Sequence, residues 1–346
     1  MLPYPWFYVF YHLKPPFLYV TSYKKPGTMK ENIMIIGASG QIGSELTLRL
    51  REIYGGGHVF ATDLKEPAPD VLESGPFELL DVMDDKRLIH FAIRNKIHQI
   101  YHLAAVLSGN AEKLPMQAWH INMNSLINVL DLAKEVEEIR KVFWPSSIAV
   151  FGPTTPKKNT PQLTIMEPNT VYGISKLAGE RWAEYFYKRY GVDTRSIRYP
   201  GLISYKTEPG GGTTDYAVEI FYHAIKHGRY ECFLERDTTL PMLFMADAIE
   251  ATIRLMEAPA DRLSIHAGYN IGGLSFSPAQ LAEEIKKHMP EFTITYKPDF
   301  RQEIAATWPE SIDDSVARRD WGYEPRYGLS EMTSVMLEKI REKLNK

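Results

Sequence analysis

Short apolar runs alternate with longer amphipathic stretches through the first part of this chain. The apolar runs have the length and composition of buried strands, and they cover residues 33–36, 58–62, 77–80, 99–103, 141–144 and 192–197. The stretches between them carry apolar residues at helical spacing, at residues 44–53, 86–95, 116–138 and from residue 171 onward. Strands that alternate with helices predict a doubly wound α/β fold, in which helices cover both faces of a parallel sheet.

The alternation weakens after residue 198, and both ends of the chain differ from its middle. We expect residues 29–197 to form the sheet domain and residues 198–346 to form a smaller substrate-binding lobe that ends in a helix at 329–344. Residues 1–28 are rich in Tyr, Phe and Pro without a periodic pattern, so neither a signal peptide nor a membrane span fits them. We interpret them as a dispensable extension, disordered or preceding a native start at Met29; an arm that contacts another subunit is the alternative.

A glycine-rich turn joins the first predicted strand to the first predicted helix. Gly37, Gly40 and Gly43 follow the spacing Gly-x-x-Gly-x-x-Gly. Such a turn lets the backbone approach a pyrophosphate, whose charge is held by free amides and by the positive end of the helix dipole. The turn therefore predicts a dinucleotide site, formed by Gly37, Ser39, Gly40, Gln41, Ile42 and Gly43.

Asp63 ends the second predicted strand, twenty residues after Gly43. A carboxylate at this position accepts hydrogen bonds from both adenosine ribose hydroxyls and repels a 2′-phosphate, so we expect NAD rather than NADP. Further cofactor contacts are expected at and near the carboxyl ends of later strands, where an open sheet binds its ligand. These candidates are Asp81, Val82, Leu103, Ala104, Ala105, Asn122 and Tyr199. A helix cap is the alternative for Asp81.

Tyr172 and Lys176 lie four residues apart at the start of a helical stretch, so their side chains share one helix face. The phenol of a free tyrosine ionises near pH 10, and a base near neutrality requires its pKa to fall by about three, which corresponds to roughly 4 kcal/mol. A cation at about 4 Å supplies on the order of 4 kcal/mol at an effective dielectric of about 20. The pair therefore predicts a general base, with an ordinary surface pair as the alternative.

Composition excludes several other classes of protein. The net charge of −3 is scattered along the chain, so neither a nucleic acid nor a membrane surface is expected as a partner. Cys232 is the only cysteine, which rules out an internal disulfide, favours a reducing, cytoplasmic location and leaves no Cys/His cluster at zinc spacing. Catalysis is thus expected to depend on side chains and an organic cofactor, without a metal.

A second glycine-rich segment, residues 209–217, leads into a helix predicted from 216 to 226. Its free amides, together with two threonine hydroxyls, suit a small anion such as a carboxylate better than a sugar. We therefore expect Gly212, Thr213 and Thr214 to contact the substrate. A flexible loop with an ordinary helix cap is the alternative.

Three motifs together indicate a family. The glycine turn, the segment Ser-Ser-Ile-Ala-Val-Phe-Gly at 146–152 and the segment Tyr-x-x-x-Lys occur in an order that resembles the extended short-chain dehydrogenases/reductases. The resemblance implies a Rossmann-type fold, with segments 242–257 and 269–272 returning from the lobe to the sheet. It also implies that Ser147 polarises the substrate oxygen, that Tyr172 is the base, and that Lys176 tunes the tyrosine and holds the nicotinamide ribose.

Further segments narrow the resemblance within this superfamily, and they are residues 144–156, 198–204, 210–217, 296–301, 308–309 and 311–314. They resemble the short-chain type of L-threonine 3-dehydrogenase, and the resemblance covers residues 29–340. The resemblance implies that NAD accepts a hydride from C3 of L-threonine to give L-2-amino-3-oxobutanoate. Further substrate contacts are then expected at Ser108, Ser146 and Trp308. We also expect a homodimer. A nucleotide-sugar epimerase or dehydratase is the alternative, and a non-catalytic redox sensor is a third class that would not need the serine, tyrosine and lysine together.

Overall fold

Strands and helices alternate along the chain. The structure is a computed structural model that describes residues 31–345, so the expectation for residues 1–28 lies outside the described residues. The strands are β1 (Asn32–Ile36), β2 (Val59–Asp63), β3 (Phe77–Leu79), β4 (Ile97–His102), β5 (Lys141–Phe143), β6 (Ser146–Ser147), β7 (Thr194–Arg195), β8 (Ile197–Tyr199), β9 (Gly201–Ile203), β10 (Arg229–Cys232), β11 (Leu240–Phe244), β12 (Tyr269–Asn270), β13 (Leu274–Phe276) and β14 (Thr293–Tyr296).

The helices occupy most of the intervening chain. They are α1 (Gln41–Tyr54), α2 (Pro69–Glu73), α3 (Asp85–Arg94), α4 (Ser108–Ala111), α5 (Pro115–Glu135), α6 (Val171–Tyr190), α7 (Tyr216–His227), α8 (Met245–Glu257), α9 (Pro278–Lys286), α10 (Phe300–Ala305), α11 (Ser315–Trp321) and α12 (Leu329–Leu344). Across residues 31–345, none of these helices has both the length and the apolar character that crossing a membrane requires.

A six-stranded parallel sheet forms the centre of the first half of the chain. Its strand order is β3-β2-β1-β4-β5-β7, and every neighbouring pair runs parallel. The strand order reverses direction between β1 and β4, and the carboxyl ends of two such strands leave a crevice between their crossovers. This order confirms the predicted doubly wound α/β fold and places the glycine turn after β1 at that crevice.

The sheet continues beyond a break in two of its strands. Pro145 separates β5 from β6, and Ser196 separates β7 from β8. Beyond the break, β6 pairs with β8, and β8 pairs with β12, both in parallel. The strand predicted at 192–197 is therefore two strands. The segment that follows, residues 198–204, is mostly β8 and β9, because pairing with β6, β12 and β11 holds it extended.

Two small sheets and several helices build the second half of the chain. β11 pairs in parallel with β9 and antiparallel with β13, and β10 pairs in parallel with β14. Helices α7, α9 and α12 pack on one another, and α7 also packs on β10. The apolar core of this lobe includes Phe221, Phe276, Leu281 and Met336, and Tyr172 packs against its edge. The base candidate therefore lies where the sheet domain meets the lobe.

Helix α8 belongs to the second half of the chain but packs against α1. Its buried residues Ala248 and Ile249 share one apolar core with Ile33 and Ile35 of β1. With β12 beside β8, two segments of the second half lie in the layers of the sheet domain.

Candidate active site

Close backbone contacts explain two of the three glycines in the turn between β1 and α1. A Cβ atom on Gly37 would lie 2.7 Å from the amide nitrogen of Ala104, and the φ angle of Gly37 is +89°. A Cβ atom on Gly43 would lie 2.0 Å from the carbonyl oxygen of Gly37. A side chain at either position would push the turn away from the segment after β4, or the helix away from the turn.

The middle glycine, Gly40, has a single close neighbour at its Cβ position. The nearest atom to its Cβ position is the Gly37 carbonyl oxygen, at 3.3 Å. Gly40 is the N-cap residue of α1 and supplies no side-chain cap, so the first-turn amides of Gln41, Ile42 and Gly43 have no intrahelical partner. This open, uncapped helix start fits a diphosphate, whose charge the helix dipole stabilises.

Asp63 lies at the end of β2, beside the glycine turn. Its carboxylate accepts hydrogen bonds from the backbone amides of Ser39 at 2.9 Å and Lys65 at 3.2 Å. The hydroxyl of Ser39 donates to the carbonyl of Lys65 at 2.8 Å, which ties the two loops together. A negative charge is therefore held next to the turn, on the side where the adenosine ribose of a dinucleotide would lie.

Asn122 holds the segment after β4, which forms the other wall of the crevice. Its side chain accepts a hydrogen bond from the Val106 amide at 2.7 Å and donates to the Val106 carbonyl at 3.1 Å. It also donates to the Ser175 hydroxyl at 3.4 Å, and that hydroxyl donates to the carbonyl of Tyr172. Asn122 thus positions the segment after β4 and the start of α6, and the contact with the cofactor expected of it stays a prediction.

Asp81 shapes the turn between β3 and α3. Its carboxylate accepts a hydrogen bond from the Met83 amide at 2.9 Å, and the carbonyl of Val82 accepts one from Asn128 at 3.0 Å. The N-cap of α3 is Asp84, so the alternative that Asp81 caps this helix is wrong. Both residues lie at the carboxyl edge of the sheet, where they were expected.

Helix α6 begins against the strand segment that carries Ser147. Thr170 is its N-cap and accepts a hydrogen bond from the Gly173 amide at 3.1 Å. A Cβ atom on Gly173 would lie 2.2 Å from the carbonyl oxygen of Ala149, so helix and strand segment are in direct backbone contact. This contact brings the phenol of Tyr172 close to the hydroxyl of Ser147.

The serine, the tyrosine and the lysine form one cluster. The hydroxyl of Ser147 lies beside the Tyr172 phenol and accepts a hydrogen bond from the Ala149 amide at 3.2 Å. The ammonium nitrogen of Lys176 lies 5.5 Å from the centre of the Tyr172 ring and donates to the Pro145 carbonyl at 2.6 Å. The chemistry available here is proton transfer at a hydroxyl or carbonyl oxygen bound between Ser147 and Tyr172.

The electrostatics of this cluster differ from the expectation that Lys176 lowers the pKa of Tyr172. Burial raises the pKa of Tyr172 to about 12, against the opposing effect of the hydrogen bond with Ser147. Burial lowers the pKa of Lys176 to about 7, against the opposing effect of the Glu180 carboxylate. Both groups are driven toward their neutral forms, because neither charge is well solvated. A positive charge bound beside them would favour the ionised phenol.

Ser146 and Tyr199 are placed differently from the sequence expectations. Successive residues of a strand face opposite sides, and Ser146 therefore points away from the cluster that contains Ser147. The Ser146 hydroxyl donates to the buried carboxylate of Glu180 at 2.6 Å and is not available to a substrate. The Tyr199 hydroxyl bonds with Thr252 in the apolar core, so this hydroxyl already has a partner within the protein.

Trp308 is also part of a core. Its indole is buried in the apolar cluster of the lobe, at whose edge Tyr172 lies. Its backbone carbonyl accepts a hydrogen bond from Lys157 at 3.0 Å. The side chain therefore stabilises the lobe from inside, and the direct substrate contact expected of Trp308 stays a prediction.

The glycine-rich loop of the lobe contacts the short helix that begins at Ser108. A Cβ atom on Gly109 would lie 2.8 Å from the carbonyl oxygen of Gly211. The amides of Gly211 and Gly212 both donate to the carboxylate of Asp215, at 2.7 and 2.8 Å. The expectation that loop amides are free for a substrate carboxylate is therefore wrong for these two.

Two hydroxyls of the same loop remain without a partner. Those of Thr213 and Thr214 make no hydrogen bond with another residue in 31–345. Within the same described range, no group of three or more His, Cys, Asp or Glu side chains could hold a metal ion.

A doubly wound sheet with a dinucleotide turn at its switch point and a Tyr-x-x-x-Lys helix beside it is the architecture of an extended short-chain dehydrogenase/reductase. The chain belongs to the NAD dependent epimerase/dehydratase family, whose sequence profile matches residues 33–272. Family and fold together make it an oxidoreductase that uses a nicotinamide dinucleotide, and the glycine turn has the open, uncapped form that such a cofactor requires.

Similar proteins cover almost the whole chain. An uncharacterized epimerase/dehydratase of Staphylococcus haemolyticus is 50% identical over 315 residues, 90% of this chain and 98% of that protein. An L-threonine dehydrogenase of Cupriavidus necator, solved in a holo form, is 55% identical with a TM-score of 0.87, over 89% of this chain and 99% of that one. A monomeric L-threonine 3-dehydrogenase from a metagenome, solved in an apo form, is 50% identical with a TM-score of 0.86, over 91% of this chain and 100% of that one. The resemblance inferred from the motifs is confirmed.

Sequence reasoning missed a buried charge pair behind the active-site strand. Glu180 on α6 and Arg198 on β8 are almost inaccessible to solvent, and the guanidinium donates to both carboxylate oxygens at 2.8 Å. Glu180 follows Lys176 by one helical turn on the same face. An acidic residue at that spacing, on a face that must be buried, was the signal available in the sequence.

Proposed function

We propose that this protein is an NAD-dependent L-threonine 3-dehydrogenase. The observation that carries the proposal is the cluster of Ser147, Tyr172 and Lys176 at the sheet edge next to the dinucleotide turn. The choice of threonine is supported by identities of 55% and 50% to L-threonine dehydrogenases over nearly the whole chain.

The proposed reaction assigns one proton transfer to the chain's own residues. When bound, NAD supplies the hydride acceptor and a positive ring charge. Ser147 donates a hydrogen bond to the C3 oxygen of threonine, and Tyr172 accepts the proton of that hydroxyl while the C3 hydrogen leaves as hydride. Lys176, held by its hydrogen bond to Pro145, stabilises the phenolate. Each turnover converts L-threonine and NAD to L-2-amino-3-oxobutanoate, NADH and a proton.

The substrate carboxylate is proposed to bind at the loop of the lobe. The hydroxyls of Thr213 and Thr214 have no partner within the described residues, and Ser108 lies on the segment that this loop contacts. Replacing both threonines by valine should raise the KM for threonine about tenfold or more and leave the affinity for NAD within twofold. An unchanged KM for threonine would place the carboxylate elsewhere.

We further propose that the enzyme prefers NAD to NADP because of Asp63. Its carboxylate is held against the turn by two backbone amides, so it cannot easily move away from a 2′-phosphate. Asp63→Asn should reduce the ratio of kcat/KM for NAD to that for NADP by about tenfold. Equal use of both cofactors by the wild-type enzyme would contradict the assignment.

One assay separates the proposed activity from its alternative. NADH formation, followed by absorbance, is measured with L-threonine, L-allo-threonine, L-serine and a set of UDP-sugars. We expect turnover with L-threonine and none with the sugars. Net epimerisation of a UDP-sugar without accumulation of NADH, and no reaction with threonine, would identify a nucleotide-sugar epimerase instead.

A homodimer in the cytoplasm is proposed as the working form. Exposed apolar side chains lie on α5 and α6, which pack together, and these are Met116, Trp119, Ile174, Trp182 and Tyr185. A second copy would cover this surface, and the single cysteine fits a reducing compartment. Light scattering should give the mass of two chains for the wild type and of one chain for Trp182→Glu. A monomeric wild type would refute the dimer.

A further inference from the structure

A buried ion pair joins α6 to two strands directly behind the active site. The side chains of Glu180 and Arg198 are 0% and 3% exposed. The Oε1 oxygen of Glu180 accepts hydrogen bonds from Arg198 Nε at 2.8 Å and from the Ser146 hydroxyl at 2.6 Å, and its Oε2 oxygen accepts one from Arg198 Nη2 at 2.8 Å. A Cβ atom on Gly268 would lie 2.5 Å from Glu180 Oε1, so a glycine there leaves room for the pair.

Two contacts from α6 hold the strand segment that carries Ser147. Lys176 donates to the carbonyl of Pro145 at 2.6 Å. Glu180, one turn further along the helix, accepts from the hydroxyl of Ser146 at 2.6 Å. Ser147 is the next residue and faces the opposite side of the strand, toward the phenol. The helix that supplies the proposed base therefore also sets the position of the serine opposite it.

The guanidinium of the pair extends this network toward the lobe. Arg198 Nη1 donates to the carbonyl of Gln162 at 3.1 Å and to the side-chain oxygen of Asn270 at 3.0 Å. The Asn270 amide donates in turn to the carbonyl of Thr160 at 3.1 Å, and Thr160 forms a β-bridge with Ile312. The buried charges thus have several hydrogen-bond partners, as a permanent part of the structure requires.

We propose that Glu180 is a positioning residue of the active site, whose buried carboxylate fixes Ser147 through Ser146 and whose negative charge lies one helical turn from Lys176. This inference rests on the proposed function, because it assigns a role to Glu180 in the same proton transfer. It has two separate consequences, one for geometry and one for charge.

The charge consequence depends on the groups that surround Lys176. These are Tyr172 and Glu180 on its own helix, His102 on β4 and, beyond Glu180, Arg198 on β8. Of these, only Glu180 is an anion at neutral pH, since burial lowers the pKa of His102 to about 3 and Tyr172 is neutral. Without the negative charge of Glu180, the pKa of Lys176 would be lower still, and Lys176 would lose its proton at lower pH.

Two single variants separate geometry from charge. Ser146→Ala removes one hydrogen bond and no charge, so kcat should fall about tenfold to a hundredfold with the KM for NAD within twofold and the alkaline limb of the kcat profile unmoved. Glu180→Gln should lower kcat and also move that alkaline limb to lower pH. Glu184→Gln, one turn further on and paired at the surface with Arg181 and Lys188, is the matched control and should leave both at wild-type values.

A second variant keeps the test valid if Glu180→Gln fails to fold around an unpaired arginine. Glu180→Gln combined with Arg198→Met removes both buried charges, a change that proteins often tolerate. It should show the same displaced alkaline limb. Wild-type kcat in Ser146→Ala, together with a wild-type limb in the double variant, would overturn the proposal.

A readout without substrate distinguishes this proposal from the proposed function. Urea unfolding between pH 6 and 9, with and without Lys176→Met, isolates the part of the stability that follows the ionisation of Lys176. When Glu180 is replaced by Gln, the rise in the free energy of unfolding that depends on Lys176 should occur at lower pH. If Glu180→Gln shows this shift to lower pH but the wild type does not oxidise threonine, the role of Glu180 stands and the proposed dehydrogenase activity is rejected. Normal threonine turnover without the shift would reject the role of Glu180 alone.

Discussion

The environment of Tyr172 favours the neutral form of its phenol. Burial raises its pKa to about 12, and the hydrogen bond from Ser147 offsets only part of that effect. The phenol can act as a base near neutrality only when a cation approaches it, and the proposed cofactor brings one. We therefore expect the proposed base to accept a proton only when the dinucleotide is bound.

The proposed base leads to a direct prediction for one substitution. Tyr172→Phe keeps the ring but removes the proton acceptor, so kcat should fall about a hundredfold to ten-thousandfold while NADH binding persists. NADH formation measures the first effect, and fluorescence titration with NADH measures the second. A variant with kcat within a few fold of wild type would show that another group takes the proton.

Lys176 should make stability depend on pH. Its folded pKa of about 7 lies below the ordinary value of 10.5, so between these values the unfolded chain binds more protons than the folded one. The contribution of Lys176 to stability therefore rises with pH through this window. The free energy of unfolding of Lys176→Met, compared with that of the wild type, should therefore be most favourable at pH 6. The difference between the two proteins should become smaller as the pH rises to 9.

Urea denaturation at several values between pH 6 and 9 measures that gap. Burial raises the pKa of Cys232 to about 11, so above pH 9 the ionisation of this thiol lowers the stability of the fold as pH rises. Measurements above pH 9 are therefore avoided, because this effect opposes that of Lys176. A gap that stayed constant with pH would mean that Lys176 is not the titrating group.

At the scale of elements, the glycine turn also provides a close backbone contact between the turn itself and the start of α1. Gly43 lies in the first turn of α1, and a Cβ atom there would lie 2.0 Å from the carbonyl oxygen of Gly37. The helix begins at Gln41, three residues earlier than the apolar pattern indicated, because residues 41–43 of the glycine-rich segment form its first turn. The helix start is therefore brought to the diphosphate position by packing.

This packing predicts a contrast between two glycines. Gly43→Ala should destabilise the protein by about 1–3 kcal/mol and weaken NADH binding at least tenfold, because helix and turn must separate. Gly57→Ala is the control, since a Cβ atom there would meet nothing within 4 Å. Thermal unfolding and NADH titration of both variants provide the test, and equal behaviour of the two would contradict the contact.

At the scale of the whole molecule, the glycine-rich loop of the lobe contacts the segment after β4 through backbone atoms of two glycines. The Cβ position of Gly109 lies 2.8 Å from the carbonyl oxygen of Gly211, so this contact tolerates no side chain. The loop is also braced from within by Asp215, which accepts hydrogen bonds from the amides of Gly211 and Gly212. Closure over a substrate would therefore move the loop as a unit about its glycines.

Substitution at this contact should affect substrate binding alone. Gly109→Ala should raise the KM for threonine several fold without changing NADH affinity, because the loop must retreat from α4. Gly210→Ala, whose Cβ atom would meet nothing within 4 Å, is the control in the same loop. Hydrogen exchange across residues 205–220 should slow when NADH and a non-reactive threonine analogue bind together, and Gly109→Ala should reduce that protection.

The features that the sequence by itself determined are those carried by local spacing. Alternating apolar runs and helical stretches predicted the doubly wound sheet, and the interval between Tyr172 and Lys176 placed them on one face of a helix whose geometry is the same in every protein. The glycine turn and the closing helix α12, at Leu329–Leu344, were found in the same way. Such patterns need only neighbours within a few residues.

Only the tertiary structure decided which way side chains face and whether their hydrogen-bonding groups are free. Ser146 meets Glu180 and Tyr199 meets Thr252 through contacts between residues distant in the chain, so neither reaches the cleft. The ionisation of Tyr172 depends in the same way on how deeply the packed chain buries it. Burial and long-range hydrogen bonds arise from the packing of the whole chain, and no local spacing encodes them.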